Sequence, residues 1–345
     1  MMYKLNKKRL EESIFKFLNW LDLNGYSSYD RMDYWSSKTG ILAKKIFYKN
    51  KLLGAPLAGW GLLLENFLPK LQKIYSEKKR EVIGDSHLAM AFLNLYTIYN
   101  NKEYLTRAEE ILKYIKSTST DGYSGYAWGY TFGWQTQYGF WKPGIPLITI
   151  TPYAFWAFLE HFKLTQNEES KKICISIADF ALEDLNETKM SNGTYCSSYS
   201  PTTYDVVINA NTYRASILLD AFMLTNKIKY KNAALKNINF VLSFQGKKGE
   251  WYYEAKPPKD NSIDNFHTVF VLRNLFKCYK ILNEKRILNS IIKGYEYYRK
   301  NLFFDSGRPK YFSEPLYMKM RKHEMYDYAE GINLGCLIND IIPGS

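Results

Sequence analysis

The sequence predicts an all-α protein: an (α/α)6 toroid of inner and outer helices with long aromatic-rich connectors at one end. Three observations carry this. Helical spacing of apolar residues recurs along the whole chain, with almost no strand-like alternation outside the connectors. The helices are of two kinds that broadly alternate. Long connectors precede the more apolar kind.

One kind has a single wet face: Leu10 to Leu21, Tyr104 to Ile115, Glu169 to Leu185, Tyr230 to Phe244 and Lys285 to Leu302. In the second of these, Leu105, Ala108, Ile111, Leu112 and Ile115 form one stripe, which marks an amphipathic helix. The other kind is apolar nearly all round: Pro56 to Leu68, Asp85 to Tyr99, Pro152 to Phe162, Asn209 to Leu224, Asp264 to Leu282 and Asp327 to Ile341. A helix without a wet face is expected to lie between other elements. Three of them start near 152, 209 and 264, a period of roughly 55 residues that suits helical hairpins with long connectors. Wet helices outside and dry helices inside close most simply as a toroid, with an open solenoid as the alternative. No Pro/Gly/Ser-rich linker divides the chain, so 1–345 reads as a single domain.

The connectors at 118–149, 186–206, 245–261 and 303–325 are long for a compact domain, and loops of that size usually carry function. Three of them combine glycine with aromatics: DGYSGYAWGYTFGW, NGTYCSSYS and KGEWYYE. A site is therefore expected at the end where the apolar helices begin.

Composition narrows the partners. The 345 residues carry 47 Lys+Arg against 34 Asp+Glu, a net charge of +13, with 46% hydrophobic and 23% charged residues. These are globular values that exclude general disorder. The positive balance suits an anionic partner, although much of it is lysine spread over polar helix faces. No RNP-type motif, zinc finger or strong basic cluster supports nucleic acid. Cys174, Cys196, Cys278 and Cys336 are scattered without CxxC, against a disulfide scaffold or cysteine zinc site. His87, His161, His267 and His323 have no ligand-like spacing, so no metal is expected, and no Walker or Rossmann glycine pattern points to another cofactor. The amphipathic N-terminus lacks a signal-peptide core, and no apolar run reaches the ~18 residues of a membrane span. A soluble, cytoplasmic protein is the expectation. Aromatics are abundant at 17% of the chain. Tyr and Trp serve cores and ligand platforms alike.

Several runs resemble a known family when taken in order: WGYTFGWQT (Trp128 to Thr136), PGIPLITIT (Pro143 to Thr151), SSYSP (Ser197 to Pro201), VINAN (Val207 to Asn211), EWYYEA (Glu250 to Ala255), IDNFHTVFVL (Ile263 to Leu272) and GRPKYF (Gly307 to Phe312). They are similar to the VpsJ-type polysaccharide biosynthesis proteins, helical-toroid proteins of surface-polysaccharide gene clusters, over roughly residues 26 to 340. The resemblance implies a toroid and a glycan-related role, with an oligosaccharide or lipid-linked glycan as partner and peripheral association with a membrane-bound glycan assembly complex. SSYDRMDYW places Asp30 and Asp33 on an early Tyr-Asp element of that family. Where relatives tend to show Asp-x-His in the last inner helix, this chain has Met325-Tyr326-Asp327.

Candidate site residues follow from position. Asp264 and His267 open the fifth apolar helix three residues apart, hence on one face. The helix dipole disfavours imidazolium there, so His267 suits a base or hydrogen-bond donor. Asp264 serves equally as an N-cap, and His267 as a buried hydrogen-bonded neighbour. Asn209, Asn211 and Arg214 stand at the corresponding entrance of the fourth helix, apt for sugar hydroxyls or a uronate carboxylate, or for capping. Asp85, Ser86 and His87 open the second in the same manner. The segment Gly122 to Trp141 carries nine aromatics with Gln135 and Gln137. Trp128, Tyr130, Trp134 and Gln135 are its candidates for stacking on and bonding a pyranose, with Trp251 in the later connector; a hydrophobic plug is the competing use.

The leading functional reading is acid–base work on a uronate ring, C5 epimerisation or β-elimination. His267 is the base, Tyr130 or Tyr204 the opposing acid, and Asn211 with Arg214 the carboxylate clamp. The second is inverting hydrolysis by Asp264 with Asp327 or Glu330, which needs carboxylates about 6.5–9.5 Å apart. The third is a non-catalytic glycan-binding or scaffold protein.

Overall fold

The structure is a computed structural model that describes residues 7–30, 32–136, 139–256, 261–314 and 324–344. Parts of three predicted connectors, with His323 and Gln137, lie outside the described residues. By compactness the described chain divides into residues 7–85 with 132–141, and residues 86–131 with 142–344.

The first unit holds α1 (Lys7–Asn24), α2 (Asp33–Ser36), α3 (Lys38–Lys49), α4 (Lys51–Phe67), a 3-10 turn at Pro69–Leu71, α5 (Gln72–Tyr75) and the start of α6 (Val82–Tyr99). A two-stranded hairpin, β1 (Trp134–Thr136) and β2 (Gly139–Trp141), completes it, with Gln135 opposite Phe140. Asn50 ends α3 and caps α4 by accepting from the Leu52 and Leu53 amides. Gly54 lets the two helices close: a Cβ there would lie 2.2 Å from the Phe47 Cα. The sequence expectation of a buried helix over Pro56 to Leu68 is corrected here. Leu52, Leu53, Leu57, Trp60, Leu63 and Phe67 of α4 are exposed.

The second unit continues α6 and holds α7 (Lys102–Ser117), α8 (Thr151–Thr165), α9 (Glu168–Glu183), the hairpin β3 (Glu187–Lys189) with β4 (Tyr195–Ser197), α10 (Ile208–Thr225), α11 (Ile228–Ser243), α12 (Asn265–Leu282), α13 (Lys285–Asn301) and α14 (Met325–Ile338). Helices α8, α10, α12 and α14 pack in that order, and α9, α11 and α13 each pack on the helix before them. Helix α10 buries Ile208 through Leu219 without a break, as its all-round apolar pattern requires.

Two repeated devices build this arrangement. The inner-to-outer turns are short because the inner helices end on a left-handed residue: Asn100, Gln166, Asn226 and Asn283 all have φ between 51° and 58°. The return connectors are long because each braces the start of the preceding inner helix. The Ile148 amide donates to the Tyr199 carbonyl (3.0 Å), Ile208 to Tyr253 (3.0 Å) and Asn265 to Tyr311 (2.9 Å).

Outer-helix C-termini leave carbonyls without helical donors. Side chains from elsewhere take them: Trp128 Nε1 donates to Ile115 (2.9 Å), Trp251 Nε1 to Val241 (3.0 Å), Asn265 Nδ2 to Leu302 (3.1 Å) and Arg214 Nε to Ala181 (2.6 Å).

Candidate functional site

Asp264 is the N-cap of α12, and its two oxygens do different work. Oδ1 accepts from the His267 amide at 2.9 Å, and Oδ2 meets His267 Nδ1 at 2.6 Å. With Nδ1 bonded to the carboxylate, the neutral imidazole carries its proton there and leaves Nε2 with a lone pair. Asp264 is buried, while the His267 side chain keeps 25% of its surface open. Tyr253 and Phe266 flank the imidazole at ring-centroid distances of 4.6 and 4.4 Å.

The dyad borders a small hollow whose other walls include Asn209, Trp251, Tyr253 and Ser262. Asn209 is 2% exposed, and among the described residues neither its Oδ1 nor its Nδ2 meets a partner. An unbonded buried amide costs on the order of 1–3 kcal/mol, so a polar group in the hollow would be bound with that penalty removed. Tyr130 and Tyr204 are not among the hollow's lining residues. Tyr204 is 71% exposed on its connector, and the Tyr130 carbonyl accepts from the Gly144 amide.

Nearly two turns further along α12 lies Arg273, which spacing did not single out, in a group that includes the predicted hydrolysis candidate Glu330. Arg273 Nη1 donates to Glu330 Oε2 at 2.6 Å, and Nη2 donates to the hydroxyls of Tyr153 and Tyr213, both at 3.1 Å. Those two hydroxyls share a 2.7 Å hydrogen bond, and Tyr326 joins at 3.4 Å. Arg273 and Glu330 are each 3% exposed. Burial alone would lower the Arg273 pKa, but Tyr153, Tyr213 and Glu330 outweigh it and hold it well above the ordinary value. Burial likewise keeps Tyr213 and Tyr326 protonated far beyond the usual phenol range. Phe270 stands between this group and the dyad, its ring centroid 5.8 Å from His267 and 5.5 Å from Tyr213. His87 approaches Tyr153 at 5.0 Å, and burial with the nearby Arg273 and Lys277 charges lowers its pKa to about 4 against the opposing pull of Glu330. A sequence signal for Arg273 did exist: an arginine inside the apolar run VFVLRNLF must find buried partners.

Other predicted residues are placed elsewhere. Arg214 is buried and donates to the Ala181 and Leu182 carbonyls, Ser197, Asn237 and Glu187. Asn211 is fully buried between Ser197, Cys196, Val207 and Asn237. Both hold the β3–β4 hairpin to α10. Trp128 and Trp251 are buried caps of outer helices, although Trp251 also lines the hollow. Asp327 is buried in the first turn of α14. In the first unit, Asp33 is buried and accepts from Lys79 Nζ (3.0 Å), Gln72 Nε2 (2.9 Å) and the Asp30 amide (2.9 Å), while Asp30 accepts from Met32 in the same turn. Trp134 lies under Lys44 Nζ, 3.2 Å from its ring centroid, and Gln135 Nε2 bonds the Thr136 carbonyl. Burial lowers the Lys44 pKa to about 7.

No family model and no curated protein matches the sequence. Solved structures do match the fold. Cellobiose 2-epimerase from Bacillus thermoamylovorans B4167 aligns at a TM-score of 0.58 and 12% identity, over 88% of this chain and 86% of the epimerase. Unsaturated glucuronyl hydrolase from Bacillus sp. GL1 aligns at 0.55 and 9% identity, over 77% of this chain and 69% of the hydrolase. A polysaccharide lyase aligns at 0.53 and 12% identity, over 76% of this chain and 73% of its own. With the mostly helical structure, these likenesses establish the (α/α)6 toroid fold class expected from the sequence.

Proposed function

We propose that this chain is a carbohydrate-active enzyme that transfers protons at a carbon next to a sugar carbonyl or carboxylate. The carrying observation is the Asp264–His267 dyad beside a hollow that contains the unbonded Asn209 amide. The substrate class draws support from the sugar-processing names of proteins on this fold, an epimerase, a hydrolase and a lyase. The VpsJ-type sequence resemblance adds a surface-glycan setting, with an oligosaccharide or lipid-linked glycan as substrate and a cytoplasmic location beside its assembly machinery.

In this reading Asp264 orients His267, and Nε2 removes the proton. Negative charge then develops on the neighbouring oxygen and needs fixed donors, which act most strongly where water is excluded. The Asn209 side-chain amide, which lines the same hollow, offers one such donor, whereas Arg273 and its phenols lie beyond Phe270 and outside that lining. Hydrolysis by paired carboxylates is disfavoured because Asp264 is engaged with His267 and Glu330 with Arg273.

The test is incubation with neutral and uronate-containing oligosaccharides in deuterated water. Solvent deuterium entering the sugar, or absorbance of an unsaturated uronate, is the expected signal. His267→Ala should reduce it by about 100-fold or more while circular dichroism stays unchanged. Full activity in that variant would remove His267 from the mechanism, and glycan binding without either signal would favour a binding protein.

A further inference from the structure

Helix α4 has a feature that the site chemistry does not use. Leu52, Leu53, Leu57, Trp60, Leu63 and Phe67 fall within an arc of about 140° at 3.6 residues per turn. All six are exposed, Leu52 at 87%, Trp60 at 56% and Phe67 at 67%. The two charged residues of the helix, Lys51 and Glu65, fall outside the arc, and Glu65 accepts from the Trp35 indole at 2.9 Å. Exposed apolar side chains continue past the helix at Leu68, Leu71 and Ile74. A contiguous apolar face of this kind marks an interaction surface rather than ordinary scatter.

The surrounding charge indicates what covers it. Residues 38–78 contain eight lysines and two glutamates. Lys45, Lys49 and Lys51 are exposed at one end of α4, and Lys70, Lys73 and Lys78 beyond the other. An apolar stripe carrying a tryptophan and bracketed by lysines has the chemistry of the boundary between acyl chains and acidic head groups. Among the described residues no helix is long and apolar enough to cross a membrane, so the helix would lie in the interface.

We propose that α4 and its flanking lysines form a membrane-interfacial surface that seats the protein on a bilayer rich in acidic phospholipid. A site that handles lipid-linked glycans would benefit from that placement, but the inference stands on α4 alone. The test is co-sedimentation of the whole protein with phosphatidylcholine vesicles, with and without phosphatidylglycerol. Wild type should bind the acidic vesicles and release with salt. The exposed triple variant Leu57→Gln, Trp60→Gln, Phe67→Gln should lose at least tenfold in binding with an unchanged circular dichroism spectrum. Replacing Lys49, Lys51, Lys70 and Lys73 by Gln should cost about fivefold each. Equal binding to neutral and acidic vesicles, no binding by wild type, or an unaffected triple variant would overturn the proposal. So would a wild-type dimer that ignores vesicles and becomes monomeric in the triple variant, since the occupant would then be a second copy.

Discussion

Asp264 caps α12 with one carboxylate oxygen and bonds the His267 ring with the other, and the two roles separate by substitution. Asparagine caps helices about as well as aspartate, so Asp264→Asn should change unfolding free energy by less than about 0.5 kcal/mol. It also replaces the anionic acceptor that fixes the imidazole tautomer, so the deuterium-exchange rate should fall by about 100-fold or more. Urea titration and exchange kinetics on the same sample check both. Unchanged kinetics would make Asp264 a cap only. The i, i+3 spacing made this pair legible in sequence; the structure shows the cap and the Asp264–His267 hydrogen bond together because the two oxygens take different donors. Tyr153 and Tyr213, and the joining of Glu330 to them, were harder to read. Each sits in a helix that looks apolar all round, and their convergence on Arg273 spans separations of 57 to 120 residues.

At the scale of elements, the most conspicuous residues of the sequence prove to be the joinery of the hairpins. Trp128, Trp251 and Arg214 drew notice as candidate substrate-binding groups, and each closes an outer-helix C-terminus. A terminal carbonyl needs a donor wherever it is buried, and sequence does not say which distant side chain will supply it. Arg214→Met therefore tests structure against binding. It frees the Ala181 and Leu182 carbonyls and leaves Ser197 and Asn237 short of a donor. The expected cost is about 3 kcal/mol in urea unfolding, typical of breaking a buried charged network, with KM of the folded fraction unchanged. A raised KM at unchanged stability would return Arg214 to the substrate.

At the scale of the whole molecule, the toroid class was legible because it rests on periodicity, the most robust signal a sequence carries. The exception is α4, whose apolar run looked like an inner helix although its free face is turned to solvent; composition reports that a face is apolar and cannot report what covers it. Stability against pH gives a test of how closed the helix array is around His87. That side chain faces Tyr153, Glu330, Arg273 and Lys277, and its buried Nε2 has no partner among the described residues. Folded, it stays neutral down to about pH 4, whereas its ordinary pKa is 6.5. Between those values the unfolded chain binds more protons, so stability is lost as pH falls from about 6.5 to 4, by up to about 3 kcal/mol. Burial raises the Asp220 pKa, which works in the opposite sense over part of the window. Comparing His87→Gln with wild type cancels that term. The wild-type unfolding free energy should drop more steeply than the variant's on acidification, and parallel curves would mean that water reaches His87 and the array is open there.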